Sequence, residues 1–228
     1  MPNIAQQLDT VRQRIVNAAT AAGRDPDTIQ LLAVSKTRPV EDLLEAIAAG
    51  QTRFGESYLQ ESLGKIEALN NQACEWHFIG PIQSNKTAAI AQYFDWVHSV
   101  DRLKIAQRLS DQRQNPALLN ICLQVNTSGE QSKSGIAPDQ LLELAGAVKD
   151  MAGIKLRGLM TIPARESELE KQRRPFHLLK QLFDELNEQG FALDTLSMGM
   201  TNDLEAAIME GSTIVRVGTA IFGPRNNT

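Results

Sequence analysis

The residue of this sequence best placed to do chemistry is Lys36. It follows an apolar run at residues 31–35 and is followed by a polar pair and Pro39. This pattern is typical of a buried strand that ends in one amine. A lysine among apolar groups loses hydration, which lowers its pKa toward the range in which the neutral amine attacks a carbonyl group. The pattern therefore predicts a Schiff-base lysine, and the alternative is a solvated lysine at a strand end.

Arg216 is the second residue of interest, because it interrupts an apolar strand pattern at residues 213–217. A guanidinium inside a core must be paired or hydrogen-bonded. It either forms a salt bridge with a core acid or faces an anion or a ring nitrogen of a ligand. A permanently protonated arginine beside a pyridine nitrogen would leave that nitrogen unprotonated and weaken the ring as an electron sink.

Two glycine-containing turns near the C-terminus have the composition of an anion-binding site. Gly199 lies between a predicted strand and a predicted helix, where Asn202 and Glu205 have the spacing of a capping box. Gly218 and Thr219 repeat the arrangement after the last predicted strand. Backbone N–H groups at a helix start, beside a glycine that lets the backbone approach closely, favour a phosphate. The alternative is that both glycines only form tight turns.

The remaining polar residues carry less information. His77 and His98 lie in predicted strands, where a hydrogen-bonded core histidine is the simpler interpretation, and His177 lies in a polar helix start. Cys74 and Cys122 form neither a CxxC motif nor a metal-ligand cluster. There is no nucleophile triad, paired-carboxylate signature, P-loop or dinucleotide-binding glycine motif. We therefore predict no metal site and no catalytic residue of these kinds.

The composition excludes several classes of protein. The 228 residues carry a formal net charge of −4, with 22% charged and 42% hydrophobic residues, which favours a folded domain over a general nucleic-acid binder. Residues 1–10 lack a signal-peptide pattern, and no apolar run reaches the roughly 18–20 residues that span a bilayer. Two cysteines without a disulfide pattern fit a reducing compartment. We expect a soluble cytoplasmic protein with no nucleic-acid or membrane partner.

The elements that must position these residues alternate between strands and helices. Strand patterns cover residues 30–36, 52–55, 75–80, 96–100, 118–126, 155–160, 195–198 and 213–217. Helical patterns cover residues 3–22, 41–49, 58–69, 84–92, 101–112, 139–149, 176–188 and 202–210, and residues 164–174 read as a charged loop. Eight such units indicate one (β/α)8 TIM-barrel domain over residues 1–228, with an extra N-terminal helix. A doubly wound open sheet is the alternative.

In such a barrel, the carboxyl ends of all strands meet at one mouth. The predicted strand ends contribute Lys36, residues 55–57, Ile79, Gly80, Ser99, Asn126, Met160, Thr161, residues 197–199 and residues 216–219. The barrel prediction therefore directs the Lys36 amine into a shared pocket, which favours the Schiff-base interpretation.

Six separated motifs resemble the pyridoxal phosphate homeostasis proteins. They are AVSKT at residues 33–37, FGESY at 54–58, WHFIGPIQSNK at 76–86, GLM at 158–160, LSMGM at 196–200 and VRVGTAIFG at 215–223. They span almost the whole chain in the family's order. The resemblance implies a (β/α)8 barrel like the N-terminal domain of alanine racemase.

The resemblance also implies which residues bind pyridoxal 5′-phosphate (PLP). Lys36 would form the internal aldimine, and Arg216 would face the pyridine nitrogen. The phosphate would be bound, largely by backbone N–H groups, at Ser197, Met198, Gly199, Gly218 and Thr219. The ring or the mouth would be lined by Ile79, Gly80 and Met160. The family usually has asparagine at position 57, so the shorter Ser57 puts its contact with the cofactor in question.

Three functions remain open at this point. The chain could hold PLP without substantial catalysis, act as a PLP-dependent racemase or decarboxylase, or act as an aldolase whose Lys36 attacks a substrate directly. Related racemases and decarboxylases carry a second, β-rich domain that supplies a catalytic base, whereas this chain ends at Thr228. We therefore expect a monomeric PLP carrier, with apo-PLP enzymes as recipients. The alternative is that a pocket residue such as His77 serves as the base.

Overall fold

The computed structural model describes residues 3–130 and 134–224. In it, eight parallel strands close into a barrel in sequence order, with β8 beside β1. The strands are β1 (Gln30–Val34), β2 (Arg53–Glu56), β3 (Glu75–Phe78), β4 (Trp96–Val100), β5 (Leu119–Gln124), β6 (Ile154–Met160), β7 (Thr195–Ser197) and β8 (Ile214–Val217). The predicted (β/α)8 barrel is confirmed, and the open sheet is wrong.

Helices surround the barrel, as the alternating pattern predicts. They are α1 (Ile4–Ala21), α2 (Val40–Ala48), α3 (Leu59–Ala68), α4 (Thr87–Tyr93), α5 (Leu103–Asp111), α6 (Leu141–Val148), α7 (Leu169–Glu188), α8 (Leu204–Met209) and α9 (Thr219–Phe222). Within the described ranges, none of these helices is long and apolar enough to cross a membrane.

The extra N-terminal helix α1 is confirmed. Asn3 and Gln6 cap it reciprocally, each side chain accepting the backbone N–H of the other residue. One face of α1 is an apolar stripe that is buried, and it includes Ile4, Leu8, Val11, Ile15 and Ala18. Through this stripe α1 packs against α2, α8 and α9 and joins the first and last units of the barrel.

The barrel has a main core outside its strands and a small one inside. Strand residues such as Phe54 and Leu123 belong to the main hydrophobic core between sheet and helices. Alternate residues point inward, where Trp96, Cys122 and Met160 form a separate cluster. Barrel interiors are usually filled by branched apolar side chains. Here polar residues occupy much of that space, and they converge on the candidate site.

Helix α7 begins before its predicted start, so the predicted charged loop at residues 164–174 is wrong from Leu169 onward. Pro175 lies inside this helix, where it removes one N–H donor. Arg173 binds the buried carboxylate of Glu210 at 2.7 Å, which ties the first turns of α7 to the end of α8. The charges that suggested a loop therefore hold a helix in place.

Candidate functional site

Lys36 lies just beyond the carboxyl end of β1, and its side chain is partly buried at the barrel mouth. Its Nζ atom is 3.4 Å from the hydroxyl oxygen of Ser57, which follows β2. The β1–β2 pairing extends one residue past the strand, because the Ser35 N–H donates to the Gly55 carbonyl at 3.1 Å. The sheet thus fixes the backbone on the N-terminal side of the lysine.

The backbone on the C-terminal side of Lys36 is also fixed. Thr37 has a φ of 63°, a left-handed conformation uncommon for a non-glycine residue. Its N–H donates to Glu61 Oε1 at 2.6 Å, and the Arg38 guanidinium donates to the Gly223 carbonyl at 2.5 Å. Such backbone strain persists where surrounding contacts determine it, and it concentrates at functional sites.

A buried ionic network lies behind the lysine, between β1, β2 and α3; we call it the outer network. Lys65 donates to Glu56 Oε1 and to the Ser35 carbonyl, both at 2.7 Å, and it also binds Glu61. The Ser35 hydroxyl donates to the same Glu56 oxygen at 2.7 Å. Burial raises the pKa of Glu56, and its second oxygen has no hydrogen-bond partner among the described residues. Sequence reasoning missed this network, although Glu61 and Lys65 have helical i,i+4 spacing.

Arg216 points into the barrel from β8 and is only 3% exposed. Its guanidinium donates to the Ser197 hydroxyl at 2.7 Å and to the Thr161 carbonyl at 2.8 Å. Burial lowers the pKa of Arg216 to about 10, so it remains charged at neutral pH. Among the described residues it has no salt bridge with an acid, so the core ion pair considered from the sequence is not formed. Hydrogen bonds to two neutral acceptors fix this cation instead.

Both strand histidines point into the barrel interior and are fully buried. His98 Nδ1 is 2.7 Å from the Ser197 hydroxyl, and His98 Nε2 is 2.9 Å from His77 Nδ1. His77 Nε2 is 2.7 Å from a carboxylate oxygen of Glu75. Burial lowers the pKa of His77, and burial with the nearby His77 and Arg216 lowers that of His98 further. They are hydrogen-bonded core histidines, as the simpler interpretation predicts.

The two predicted phosphate turns follow β7 and β8. Gly199 has a φ of 93°, and a Cβ atom there would lie 2.6 Å from that of Ala207, so only glycine fits. A Cβ atom at Gly218 would lie 3.1 Å from the Val34 carbonyl oxygen. Within the described residues, neither glycine N–H makes a hydrogen bond. Lys36, Gly218 and Thr219 share a small cavity of about 30 Å³.

Ser197 and Met198 are present at this turn, but their polar groups are already bonded. The Ser197 hydroxyl lies between Arg216 and His98. The Met198 N–H donates to the Ile214 carbonyl at 3.1 Å, and its side chain is fully buried. The Ser197 hydroxyl and the Met198 N–H are therefore committed to partners within the protein.

The predicted capping box at the start of α8 is wrong. The helix begins after Asp203, whose carboxylate accepts the Met200 N–H at 2.5 Å. Glu205 turns outward and binds Arg14 of α1 at 2.8 Å. A charge-assisted bond is stronger than a cap to a neutral amide, and the sequence pattern could not show that Arg14 lies there.

The remaining predicted site residues lie at or below the same mouth. A Cβ atom at Gly80 would lie 2.3 Å from the Ser57 carbonyl oxygen, so glycine allows the segments after β2 and β3 to touch. Ile79 is partly buried beside Gly55, and Met160 is buried with Trp96 inside the barrel. Within the described residues, no group of three or more His, Cys, Asp or Glu side chains could hold a metal ion.

The barrel and its strand-end lysine define a class of protein. A family model described as the alanine racemase N-terminal domain matches residues 6–226. The alanine racemase of Corynebacterium glutamicum has the same fold, with a TM-score of 0.70 and 16% identity over 96% of this chain and 62% of that chain.

Closer similarities identify the family within this class. The pyridoxal phosphate homeostasis protein of Pseudomonas aeruginosa is 58% identical, over 99% of this chain and 97% of that protein. Its namesake in Escherichia coli is 51% identical, over 99% and 98%. The structure of PipY from Synechococcus elongatus with PLP bound has a TM-score of 0.82 and 33% identity, over 97% and 100%. The chain belongs to the pyridoxal phosphate homeostasis protein family.

Proposed function

We propose that this chain binds PLP through a Schiff base on Lys36 and takes part in PLP homeostasis without substantial catalysis. The observation that carries the proposal is the cavity that Lys36, after β1, shares with Gly218 and Thr219, after the paired strand β8 from which Arg216 projects. The family's name and the PLP bound to PipY support the choice of cofactor.

The residues present fit this cofactor. PLP supplies an aldehyde that condenses with a primary amine, with loss of water. Lys36 offers that amine, and the N–H groups of Gly199, Gly218 and Thr219 would serve as donors for a phosphate. Ser197 and Met198 would position the turn at Gly199, since the Ser197 hydroxyl and the Met198 N–H are bonded to other groups of the protein.

The remaining assignments concern the ring of the cofactor. The Arg216 guanidinium would face the pyridine nitrogen, and its fixed charge would keep that nitrogen unprotonated. Ile79, Gly80 and Met160 would line the ring, and Ser57 would contact the Lys36 amine region, from which it is 3.4 Å away.

The interior histidines favour a carrier over an enzyme. A catalytic base must lie within hydrogen-bond reach of the reacting atoms. His77 is fully buried, and both of its ring nitrogens are bonded, to His98 and to Glu75. We therefore propose a single barrel domain that acts as a monomeric, cytoplasmic PLP carrier, with apo-PLP enzymes as recipients.

A Lys36→Ala variant tests the proposal. We expect the wild-type protein to develop a visible absorption band on titration with PLP, and the variant to stay colourless while keeping its circular dichroism spectrum. Lys104→Ala, on the exposed face of α5, serves as a matched control that should bind normally. Rapid racemisation of amino acids by the wild-type protein, lost in Lys36→Ala, would overturn the carrier assignment. Aldol cleavage without any cofactor would favour the direct aldolase.

A further inference from the structure

A continuous line of hydrogen-bonded side chains crosses the barrel interior; we call it the inner chain. It runs from Arg216 through Ser197, His98 and His77 to Glu75, with successive distances of 2.7, 2.7, 2.9 and 2.7 Å. Arg216 lies near the mouth, whereas Glu75 is the first residue of β3 and lies at the opposite end. The inner chain therefore connects the candidate site to the far face of the barrel.

The direction of each hydrogen bond in the inner chain follows from its two end groups and from the neutrality of both imidazoles, whose pKa values burial lowers. An arginine can only donate, and an ionised carboxylate can only accept. Glu75 therefore accepts from His77 Nε2–H, which leaves His77 Nδ1 to accept from His98 Nε2–H. The Ser197 hydroxyl then donates to His98 Nδ1 and accepts from Arg216. With both histidines neutral, this arrangement places the proton of each ring on Nε2.

The Glu75 end of the chain is accessible to solvent. The Glu75 side chain is 39% exposed and lies 3.3 Å from the Arg53 guanidinium. It borders a surface cavity of about 540 Å³ that Asp95 and Arg113 also line. The charge on this carboxylate is therefore open to ions and ligands on the far face, while the rest of the chain is buried.

We propose that Glu75, His77 and His98 are positioning residues for Arg216, and that the charge of Glu75 influences PLP bound at the opposite end of the barrel. The inference rests on the proposed function for its cofactor but on the described side chains for its geometry. The carboxylate charge fixes the direction of the hydrogen bonds in the inner chain. Its removal loses this constraint, because a glutamine amide can donate to His77 as well as accept from it. The Ser197 hydroxyl is then no longer committed to donating to His98, which weakens one of the two hydrogen bonds that fix Arg216.

The coupling is tested with Glu75→Gln, and Asp194→Asn is the matched control. Asp194 precedes β7 at the same end of the barrel and binds Arg157 at 2.7 Å, outside the inner chain. We expect Glu75→Gln to shift the absorption maximum of bound PLP and to weaken its binding about threefold to tenfold, the effect of one hydrogen bond. Asp194→Asn should leave both unchanged. The same PLP affinity and absorption maximum in Glu75→Gln and Asp194→Asn would overturn the proposal.

A second measurement uses the cofactor-free wild-type protein, so it does not depend on the variants folding or on PLP binding. Nuclear magnetic resonance of ¹⁵N-labelled imidazole rings at pH 7 distinguishes the tautomers. We expect His77 and His98 to be neutral with the proton on Nε2. A proton on Nδ1, or an imidazolium at either ring, would refute the inner chain. Failure of Lys36 to bind PLP, with these tautomers intact, would refute the proposed function instead.

Discussion

The outer network lies beside the strand end that presents Lys36, whereas the inner chain crosses the barrel from the mouth to the partly exposed Glu75, and the two distribute charge differently. In the outer network, one cation, Lys65, binds two carboxylates directly, and one oxygen of Glu56 has no partner among the described residues. In the inner chain, the cation and the carboxylate are separated by three neutral groups, and each group donates to the next. The outer network binds backbone atoms on either side of Lys36, whereas the inner chain orients the Arg216 side chain.

This difference indicates which network carries stability and which carries function. The outer network fixes the Ser35 carbonyl and the Thr37 N–H, the groups that flank Lys36. Disruption of the outer network should destabilise the segment after β1 that carries Lys36. The inner chain ends at a guanidinium near the mouth, so its disruption should alter the bound cofactor more than the fold.

Lys65→Met is expected to have the largest effect. It leaves Glu56 and Glu61 without their cation, and breaking a buried ion pair from one side costs about 3–5 kcal/mol. Urea unfolding of the cofactor-free protein should show this loss. Lys104→Met, at an exposed position, is the control, and a loss no larger than in that control would mean that the outer network is not structural.

Arg216→Ala should combine a moderate stability loss with a cofactor effect. It leaves the buried Ser197 hydroxyl and Thr161 carbonyl without a donor, which costs about 2–3 kcal/mol. It should also weaken PLP binding and redden or broaden the spectrum of bound PLP. Arg157→Ala, a cation 4.8 Å from the Trp96 ring at the other end of the barrel, controls for general destabilisation. If PLP affinity and spectrum are unchanged, Arg216 acts only in the fold.

Acidification should weaken the inner chain. His77 faces Glu75, Asp95 and Arg53; burial lowers its pKa with a contribution from Arg53, and this outweighs the two carboxylates, which raise it. His98 faces His77 and Arg216, and its pKa is also lowered. The unfolded chain therefore takes up protons first as the pH falls below about 6.5. Each histidine should therefore lower the folding stability as the pH falls from about 6.5 to 5.5, by at most about 1 kcal/mol.

The outer network has the opposite pH dependence, which sharpens the comparison. The raised pKa of Glu56 means that the folded state binds a proton before the unfolded state, so this residue gains stability as the pH falls. Glu56→Gln should therefore make the acid loss steeper. Denaturant unfolding at about pH 6.5 and 5.5 measures this. An acid loss in Glu56→Gln that is no steeper than in the wild-type protein would contradict the account.

Ser57→Ala should have the smallest effect. The Ser57 hydroxyl is 3.4 Å from Lys36 Nζ, a long contact at a partly exposed site. Its loss should change PLP affinity by less than about fivefold and leave thermal stability within about 1 kcal/mol. Titration with PLP decides, and a loss as large as that of Arg216→Ala would show that Ser57 is central to binding.

Much of the fold could be predicted from the sequence because alternating short apolar strands and amphipathic helices are local patterns. Strand β4 is found at its predicted bounds, residues 96–100. The errors occur where partners come from distant segments. Arg14 binds Glu205 in place of the predicted cap, and Arg173 binds Glu210 where a loop was expected.

The candidate site was predicted at the level of single residues but not of networks. Lys36 and Arg216 stand out because a charge interrupts or ends an apolar strand. Glu75 and His77 share one face of β3 by period-two alternation, so their proximity was readable. That His98 from β4 and Ser197 from β7 complete the line depends on barrel closure, which brings together strands about a hundred residues apart. Local sequence patterns do not encode that distance.

The most direct test of the central claim is to reduce the PLP-loaded protein with borohydride and to locate the adduct by peptide mass spectrometry. Borohydride converts a Schiff base to a stable secondary amine. We expect the visible band to bleach and a phosphopyridoxyl mass to appear on Lys36, with the Lys65 and Lys104 peptides unmodified. A colourless protein, or an adduct confined to other lysines, would contradict the assignment of Lys36 as the PLP-binding residue.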